Sequence, residues 1–128
     1  MYWQLPELLH QNHKIEIKKF FPESEIFQEA CPMWVPIVEN NEYDSDGADY
    51  FIKKNVENLL SKSAKIDTII LGCTHYPLLI SKIRKHLPQK IQLLSQGSIV
   101  AKSLSDYLTK HQNIATKCSK NGTTTFYT

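Results

Sequence analysis

Charge of one sign, paired cysteines and long apolar runs are all scarce in this sequence. Its 15 basic and 13 acidic residues leave a net charge of +2, and they are spread along the chain, so no face is built to meet a phosphate backbone. No stretch approaches the roughly 20 consecutive apolar residues that a membrane span needs. The N-terminus also lacks the positively charged segment followed by an apolar stretch that is typical of a signal peptide. These features argue against nucleic acid and membrane partners and favour a soluble cytoplasmic protein.

Cysteine is present, but not in a pattern that builds a framework. The sequence has 3 cysteines, Cys31, Cys73 and Cys118, which are far apart and lack CxxC spacing. An odd number at such distances argues against a disulfide scaffold and against a structural zinc site. We expect free thiols in a reducing compartment and no bound metal.

What the sequence does contain is an alternation of strand-like and helix-like segments. With 128 residues, 41% of them hydrophobic, the chain suffices for one globular domain or part of one. Short β-branched runs alternate with stretches whose apolar residues recur every three to four positions. The expected elements are a short strand at Glu25–Gln28, a helix at Ala48–Leu60, a strand at Asp67–Leu71, a segment from Pro77 with Leu79, Ile83 and Leu87 in a stripe, a strand at Ile91–Leu94, and a helix at Ser98–Leu108 with Val100, Leu104 and Leu108 aligned.

This order predicts an α/β layered fold with a parallel sheet, because short strand–helix–strand connections give parallel crossovers. The run from Asp67 to Leu71 is continuously apolar after its first two residues, as in a strand buried on both faces. In such sheets, ligands bind at the carboxyl ends of the strands. Gly72 ends the run, so the residues that follow it occupy the expected position of a site.

Cys73, Thr74 and His75 form a polar cluster at that position. A thiol between a strand end and a helix N-terminus gains thiolate character and serves as a base. His75 is placed to exchange protons with the thiol or a substrate, and Thr74 offers a hydroxyl and an N–H to a carboxylate. The alternative is that Cys73 is a small core residue and His75 an ordinary loop residue. Spacing alone does not decide between them.

Two longer segments carry a family resemblance. Leu71 to Leu79 reads LGCTHYPLL, and Glu29 to Glu39 reads EACPMWVPIVE. Both segments resemble the C-terminal half of bacterial glutamate racemases, which belong to the aspartate/glutamate racemase superfamily, and Ser95 to Ala101 is similar to a third, weaker block. The resemblance covers residues 14–128, and residues 1–13 match nothing in the family and remain unassigned.

The resemblance implies an isomerase that converts L-glutamate to D-glutamate for peptidoglycan synthesis without a cofactor. One thiol removes the α-proton and a second thiol returns one on the opposite face. By this resemblance Cys73 is one of the pair, His75 and Glu39 assist it as acid/base groups, and Thr74 and His75 contact the substrate. The implied partner is the small molecule glutamate, and a homo-oligomer is left open. Cys31 is read as structural, and the tryptophans and tyrosines as packing residues.

The sequence also departs from the family pattern. The DSG loop and the ACNT-like segment that carries the other catalytic cysteine are absent, so we expect a chain truncated at both ends whose isolated form does not racemise glutamate. Alternatives are another aspartate, glutamate or hydantoin racemase-type enzyme, or a non-catalytic α/β fragment. A metal site formed by Cys31, Cys73, His75 and Cys118 is a further alternative that the spacing does not support.

Overall fold

A computed structural model describes residues 14–120 and 122–125 of the chain. The chain divides into two compact units, the first ending at Leu94 and the second beginning at Ser95. Each unit is described by itself. Within the described residues no helix is both long enough and apolar enough to cross a membrane.

The first unit alternates helices and strands. A helical segment, α1, covers residues 14–20. The later elements are α2 (Trp34–Glu39), α3 (Asp46–Ser61), β1 (Thr68–Ile70), a 3-10 helix (Tyr76–Leu79), α4 (Ile80–Lys85) and β2 (Gln92–Leu94). The order confirms the predicted α/β class.

Helix α3 confirms the predicted helix at 48–60 and extends it slightly at both ends. Ser45 caps it, because the Ser45 hydroxyl accepts a hydrogen bond from the Ala48 N–H at 3.1 Å, which satisfies one of the unpaired amides of the first turn. Ala48, Ile52 and Val56 are buried at the four-residue spacing that places them on one face. That face joins α3 to the core.

The prediction of a strand at 25–28 is wrong. Residues 24–30 have no regular secondary structure, and side chains of α3 and the residue after it hold this segment instead of a neighbouring strand. Asn55 donates to the Glu29 carboxylate and to the Ala30 carbonyl, each at 3.1 Å. Lys62 pairs with Glu29 at 2.7 Å and also donates to the Gln28 carbonyl. These contacts satisfy the Gln28 and Ala30 carbonyls, which in a sheet would bond to a neighbouring strand.

Strands β1 and β2 pair in parallel, as predicted, with Ile69 opposite Leu93 and Ile70 opposite Leu94. The two strands are shorter than the predicted runs. Ile69 and Leu93 pack against the core, but Ile70 is 55% exposed. The prediction of burial on both faces is therefore wrong for β1, because the helices of this unit cover only one face of the sheet in the described residues.

One hydrophobic core holds the first unit together. Leu79, Ile83 and Leu87 are buried in it, which confirms the predicted stripe. The stripe begins in a 3-10 helix with Pro77 near its start and continues through α4. The remaining buried members are Trp34, Ile37, Ala48, Ile52, Val56, Leu71 and Ile91.

The second unit contains α5 (Gln96–Lys110) and α6 (Gln112–Ala115). Helix α5 confirms the helix predicted at 98–108 and is longer at both ends. Its apolar residues Val100 and Leu104 are exposed, and no residue of α5 is buried in the described structure. A unit this small cannot enclose a core of its own.

Candidate active site

The turn after β1 carries the cysteine and histidine that the sequence singled out. Leu71 extends the sheet by donating its N–H to the Leu94 carbonyl at 2.9 Å, and it is buried. The chain then turns, and the Tyr76 N–H bonds to the Cys73 carbonyl at 3.3 Å. Cys73 therefore lies just beyond the carboxyl end of a parallel strand, where α/β folds bind ligands.

The thiol of Cys73 faces the imidazole of His75. Cys73 Sγ lies 3.7 Å from His75 Nδ1, and both side chains are partly buried. On the far side of the ring, His75 Nε2 lies 3.3 Å from Oε1 of Glu39, and Glu39 is the last residue of α2. The structure thus brings together the three residues predicted as catalytic, although Glu39 comes from another part of the chain.

The geometry of this row of thiol, imidazole and carboxylate allows a proton to move from the thiol to the ring. If the neutral ring carries its proton on Nε2, that N–H donates to Glu39. The lone pair of Nδ1 then faces the thiol and accepts its proton. Transfer of that proton produces a thiolate beside an imidazolium, with the carboxylate close enough to balance the ring charge. The row remains accessible, because the His75 side chain is 34% exposed and that of Glu39 is 61% exposed.

Thr74 is exposed in the same turn, between Cys73 and His75. The helix start expected beside the cysteine takes a different form, since His75 precedes a four-residue 3-10 helix and its side chain makes no capping bond. Cys73 therefore has the His75 imidazole as its neighbour, and not the first turn of a long α-helix.

Cys31 has a contrasting environment. Burial, followed by the negative charge of Glu29, raises the pKa of the Cys31 thiol to about 12 against the opposing effect of Lys62. Its Sγ lies 3.8 Å from the Glu29 carbonyl, and the side chain packs against the core. A thiol in this state stays protonated at neutral pH and packs as an apolar group.

Tyr76 is a residue of the site region that the sequence reading treated only as packing. Its hydroxyl donates to the Cys31 carbonyl at 3.4 Å, and its ring meets the Trp34 ring edge-to-face at 4.9 Å. Trp34 is buried, as expected of a packing residue. The sequence carries no signal for these contacts beyond the position of Tyr76 directly after His75.

Comparison with known proteins gives a consistent answer. No family model matches the chain. Glutamate racemases from Streptococcus uberis and Streptococcus gordonii are 34% and 39% identical to it over 116 and 94 residues, which is 91% and 73% of this chain but 43% and 34% of theirs. The chain is a homologue of the glutamate racemases.

Solved glutamate racemases also share its fold. The Bacillus anthracis glutamate racemase superposes with a TM-score of 0.70 at 32% identity, covering 79% of this chain and 37% of its own. The Francisella tularensis glutamate racemase, solved in complex with D-glutamate, gives a TM-score of 0.70 at 25% identity over 78% of this chain and 36% of its own. The chain thus spans well under half the length of the glutamate racemases it matches.

Proposed function

We propose that the chain is the part of a glutamate racemase that contributes one catalytic thiol, Cys73, to the interconversion of L- and D-glutamate. The observation that carries the proposal is the row Cys73–His75–Glu39, with separations of 3.7 and 3.3 Å. The similarity to glutamate racemases in sequence and in fold supports the choice of reaction and of substrate.

In the proposed reaction His75 accepts the Cys73 proton and the resulting thiolate removes the α-proton of glutamate. The C–H electron pair stays on the α-carbon as a carbanion, and the proton moves to sulfur. Glu39 holds the imidazole in the orientation that receives the thiol proton and balances its positive charge. Thr74 donates its hydroxyl to the substrate carboxylate in this proposal. His75 contacts the carboxylate through the Nδ1–H that it gains from Cys73, since its Nε2 faces Glu39.

Inversion requires a second acid on the opposite face of the carbanion. Neither remaining cysteine of this chain is suited to that role. Cys31 is held protonated by burial, with a pKa of about 12, and Cys118 is an exposed thiol whose Sγ lies 3.5 Å from the Ile114 carbonyl of its own segment. We therefore propose that the opposed thiol comes from sequence outside these 128 residues, as the family pattern implies.

The α-proton of an amino acid is very weakly acidic, so the carbanion must be stabilised by groups already in position. The proposed racemase uses no pyridoxal and no metal as an electron sink, and hydrogen-bond donors around the substrate carry that task. Its product, D-glutamate, is proposed to serve peptidoglycan synthesis in the cytoplasm, where thiols remain reduced.

The proposal is tested by proton NMR of L- and D-glutamate in D2O with the 128-residue chain. One thiol serves one face, so we expect the α-proton signal of one enantiomer to be lost without inversion. Cys73→Ser should slow this exchange about a hundredfold or more, because a serine hydroxyl is a far weaker acid than a thiol and supplies almost no base at neutral pH. Exchange that survives in Cys73→Ser contradicts the proposal. Inversion by the chain alone contradicts the assignment of the second thiol to outside sequence.

A further inference from the structure

Tyr76 links the two parts of the chain that supply the proposed catalytic row. Its main-chain N–H bonds to the Cys73 carbonyl at 3.3 Å and so closes the turn that contains Cys73 and His75. Its side chain leaves that turn and reaches the start of α2, the helix that ends in Glu39. Tyr76 therefore contacts both the turn that supplies Cys73 and His75 and the start of the helix that supplies Glu39.

The side-chain contacts of Tyr76 both fall where α2 begins. The Cys31 carbonyl accepts the Trp34 main-chain N–H at 3.1 Å and the Tyr76 hydroxyl at 3.4 Å. The Tyr76 ring also meets the Trp34 ring edge-to-face, with centroids 4.9 Å apart and planes at 67°. Edge-to-face pairs are directional, so they fix orientation as well as distance.

Trp34 is itself immobilised. It is buried in the core, and its indole N–H donates to Asn55 on α3 at 3.1 Å. Glu39 lies five residues further along the same helix, ~7.5 Å along its axis at the usual rise per residue. A shift or tilt of α2 at Trp34 is therefore transmitted to the Glu39 carboxylate, which has no comparable burial of its own.

The structure assigns to Tyr76 a positioning role: its side chain sets α2 against the Cys73–His75 turn and thereby keeps the Glu39 carboxylate beside the His75 imidazole. This inference rests on the proposed function of the row. It deepens that function by naming the residue that holds two separate pieces of chain in register. Burial, and then the nearby Cys31 and Cys73 thiols, raises the pKa of the Tyr76 phenol above its ordinary value, so the hydroxyl keeps its proton as a donor at neutral pH.

The test is a double-mutant cycle between Tyr76 and Glu39, read out as the rate of Cys73 alkylation by iodoacetamide at pH 7 in the 128-residue chain. The four proteins are wild type, Glu39→Gln, Tyr76→Leu and the double variant, with the alkylated peptide quantified by mass spectrometry. In the wild-type background Glu39→Gln should slow alkylation about fivefold, since a partly exposed ion pair contributes about 1 kcal/mol. In the Tyr76→Leu background it should have almost no further effect, because the carboxylate is already displaced from the imidazole.

Two additional variants separate positioning from general packing. Tyr76→Phe keeps the ring contact with Trp34 and loses only the bond to the Cys31 carbonyl, so the effect of Glu39→Gln should be partly restored, to about threefold. Tyr50→Leu is the matched control, because Tyr50 is an exposed tyrosine on α3 that contacts Phe51. In that background Glu39→Gln should retain its full effect. Circular dichroism checks that every variant is folded.

The outcomes are distinguishable. Loss of the Glu39 effect in Tyr76→Leu, with recovery in Tyr76→Phe, supports the positioning role. An undiminished Glu39 effect in folded Tyr76→Leu overturns it and leaves the proposed function standing. A Glu39→Gln variant that alkylates at the wild-type rate in the otherwise unchanged chain overturns the positioning role, since Glu39 would then have no influence for Tyr76 to transmit. It also removes the part proposed for Glu39, whereas the proposed function of Cys73 is decided separately by the exchange measured with Cys73→Ser.

Discussion

His75 Nε2 lies 3.3 Å from Glu39 Oε1, although one residue follows β1 and the other ends α2. The contact depends on packing between α2 and the 3-10 helix that begins at Tyr76. It extends the thiol–imidazole pair to a row of three groups, in which the proposed function moves a proton from Cys73 to His75. The same packing places Trp34 against Tyr76.

The three thiols should differ in reactivity. We expect Cys73 to be alkylated first by limiting iodoacetamide at pH 7, because its thiol lies 3.7 Å from His75 Nδ1, a nearby proton acceptor in the proposed function. Cys31 should be inert in the folded chain, since its thiol has a pKa of about 12. Mass-spectrometric mapping of labelled peptides gives the order. Labelling of exposed Cys118 before Cys73 would contradict the predicted order, and a Cys73 as inert as Cys31 would contradict the account.

The contribution of His75 is measured with a second histidine as the control. His75→Ala should slow Cys73 alkylation about tenfold, because the thiol loses its proton acceptor. His86 also faces a carboxylate, with its Nε2 3.2 Å from Asp49 Oδ1, but it lies at the end of α4. His86→Ala should therefore leave the alkylation rate unchanged. Equal effects of the two substitutions would show that the loss is not specific to the row.

The sheet should tolerate substitution on its open face. Ile52 is fully buried in α3, so Ile52→Ala should lower the free energy of unfolding by about 2–5 kcal/mol. Ile70 is largely exposed, and Ile70→Ala should lower it by less than about 1 kcal/mol. Urea unfolding followed by circular dichroism measures both. A large loss for Ile70→Ala would mean that both faces of the sheet are covered in solution.

Much of this structure follows from local sequence signals. The signals for α3, a polar turn cluster followed by Ile52 and Val56 at helical spacing, lie within one segment, so the helix is predicted almost to its ends. The strand at 25–28 failed because the alternative partners of that segment, Asn55 and Lys62, are distant in sequence. The open face of β1 was missed for a related reason, since an apolar run does not reveal how many layers will cover it.

The same distinction applies to the site. Cys73, Thr74 and His75 are adjacent in sequence, and their place after a strand follows from the alternation alone. Glu39 was linked to them only by family resemblance, and the contribution of Tyr76 appears only when α2 and the turn are packed together. Long-range packing is the information that the pattern of a single sequence does not carry.

Glu29 should make the stability of the chain depend on pH. Burial acts to raise the pKa of the Glu29 carboxyl, but hydrogen bonds from Lys62, Asn55 and Asn58 outweigh it and hold the pKa below its usual value. A lowered folded pKa means that this stabilisation is complete above the ordinary carboxyl pKa of about 4.3 and is lost as pH falls through the folded value.

Glu29→Gln should lower the free energy of unfolding by about 1–3 kcal/mol at pH 7 and by less at pH 3. Urea titrations at the two pH values measure this, with Glu57→Gln, on the exposed face of α3, as the control. An equal cost for Glu29→Gln at both values would contradict the charge assignment.

The central claim, that Cys73 is a catalytic acid/base thiol, is tested most directly where a second thiol is supplied. The segment of the Bacillus anthracis glutamate racemase that matches this chain, 37% of that protein, is replaced by this chain, and turnover and Michaelis constant are measured for both enantiomers. In the active chimera Cys73→Ser should reduce turnover about a hundredfold or more with little change in the Michaelis constant, whereas Cys118→Ser should change neither. Near-normal racemisation by the Cys73→Ser chimera would contradict the account.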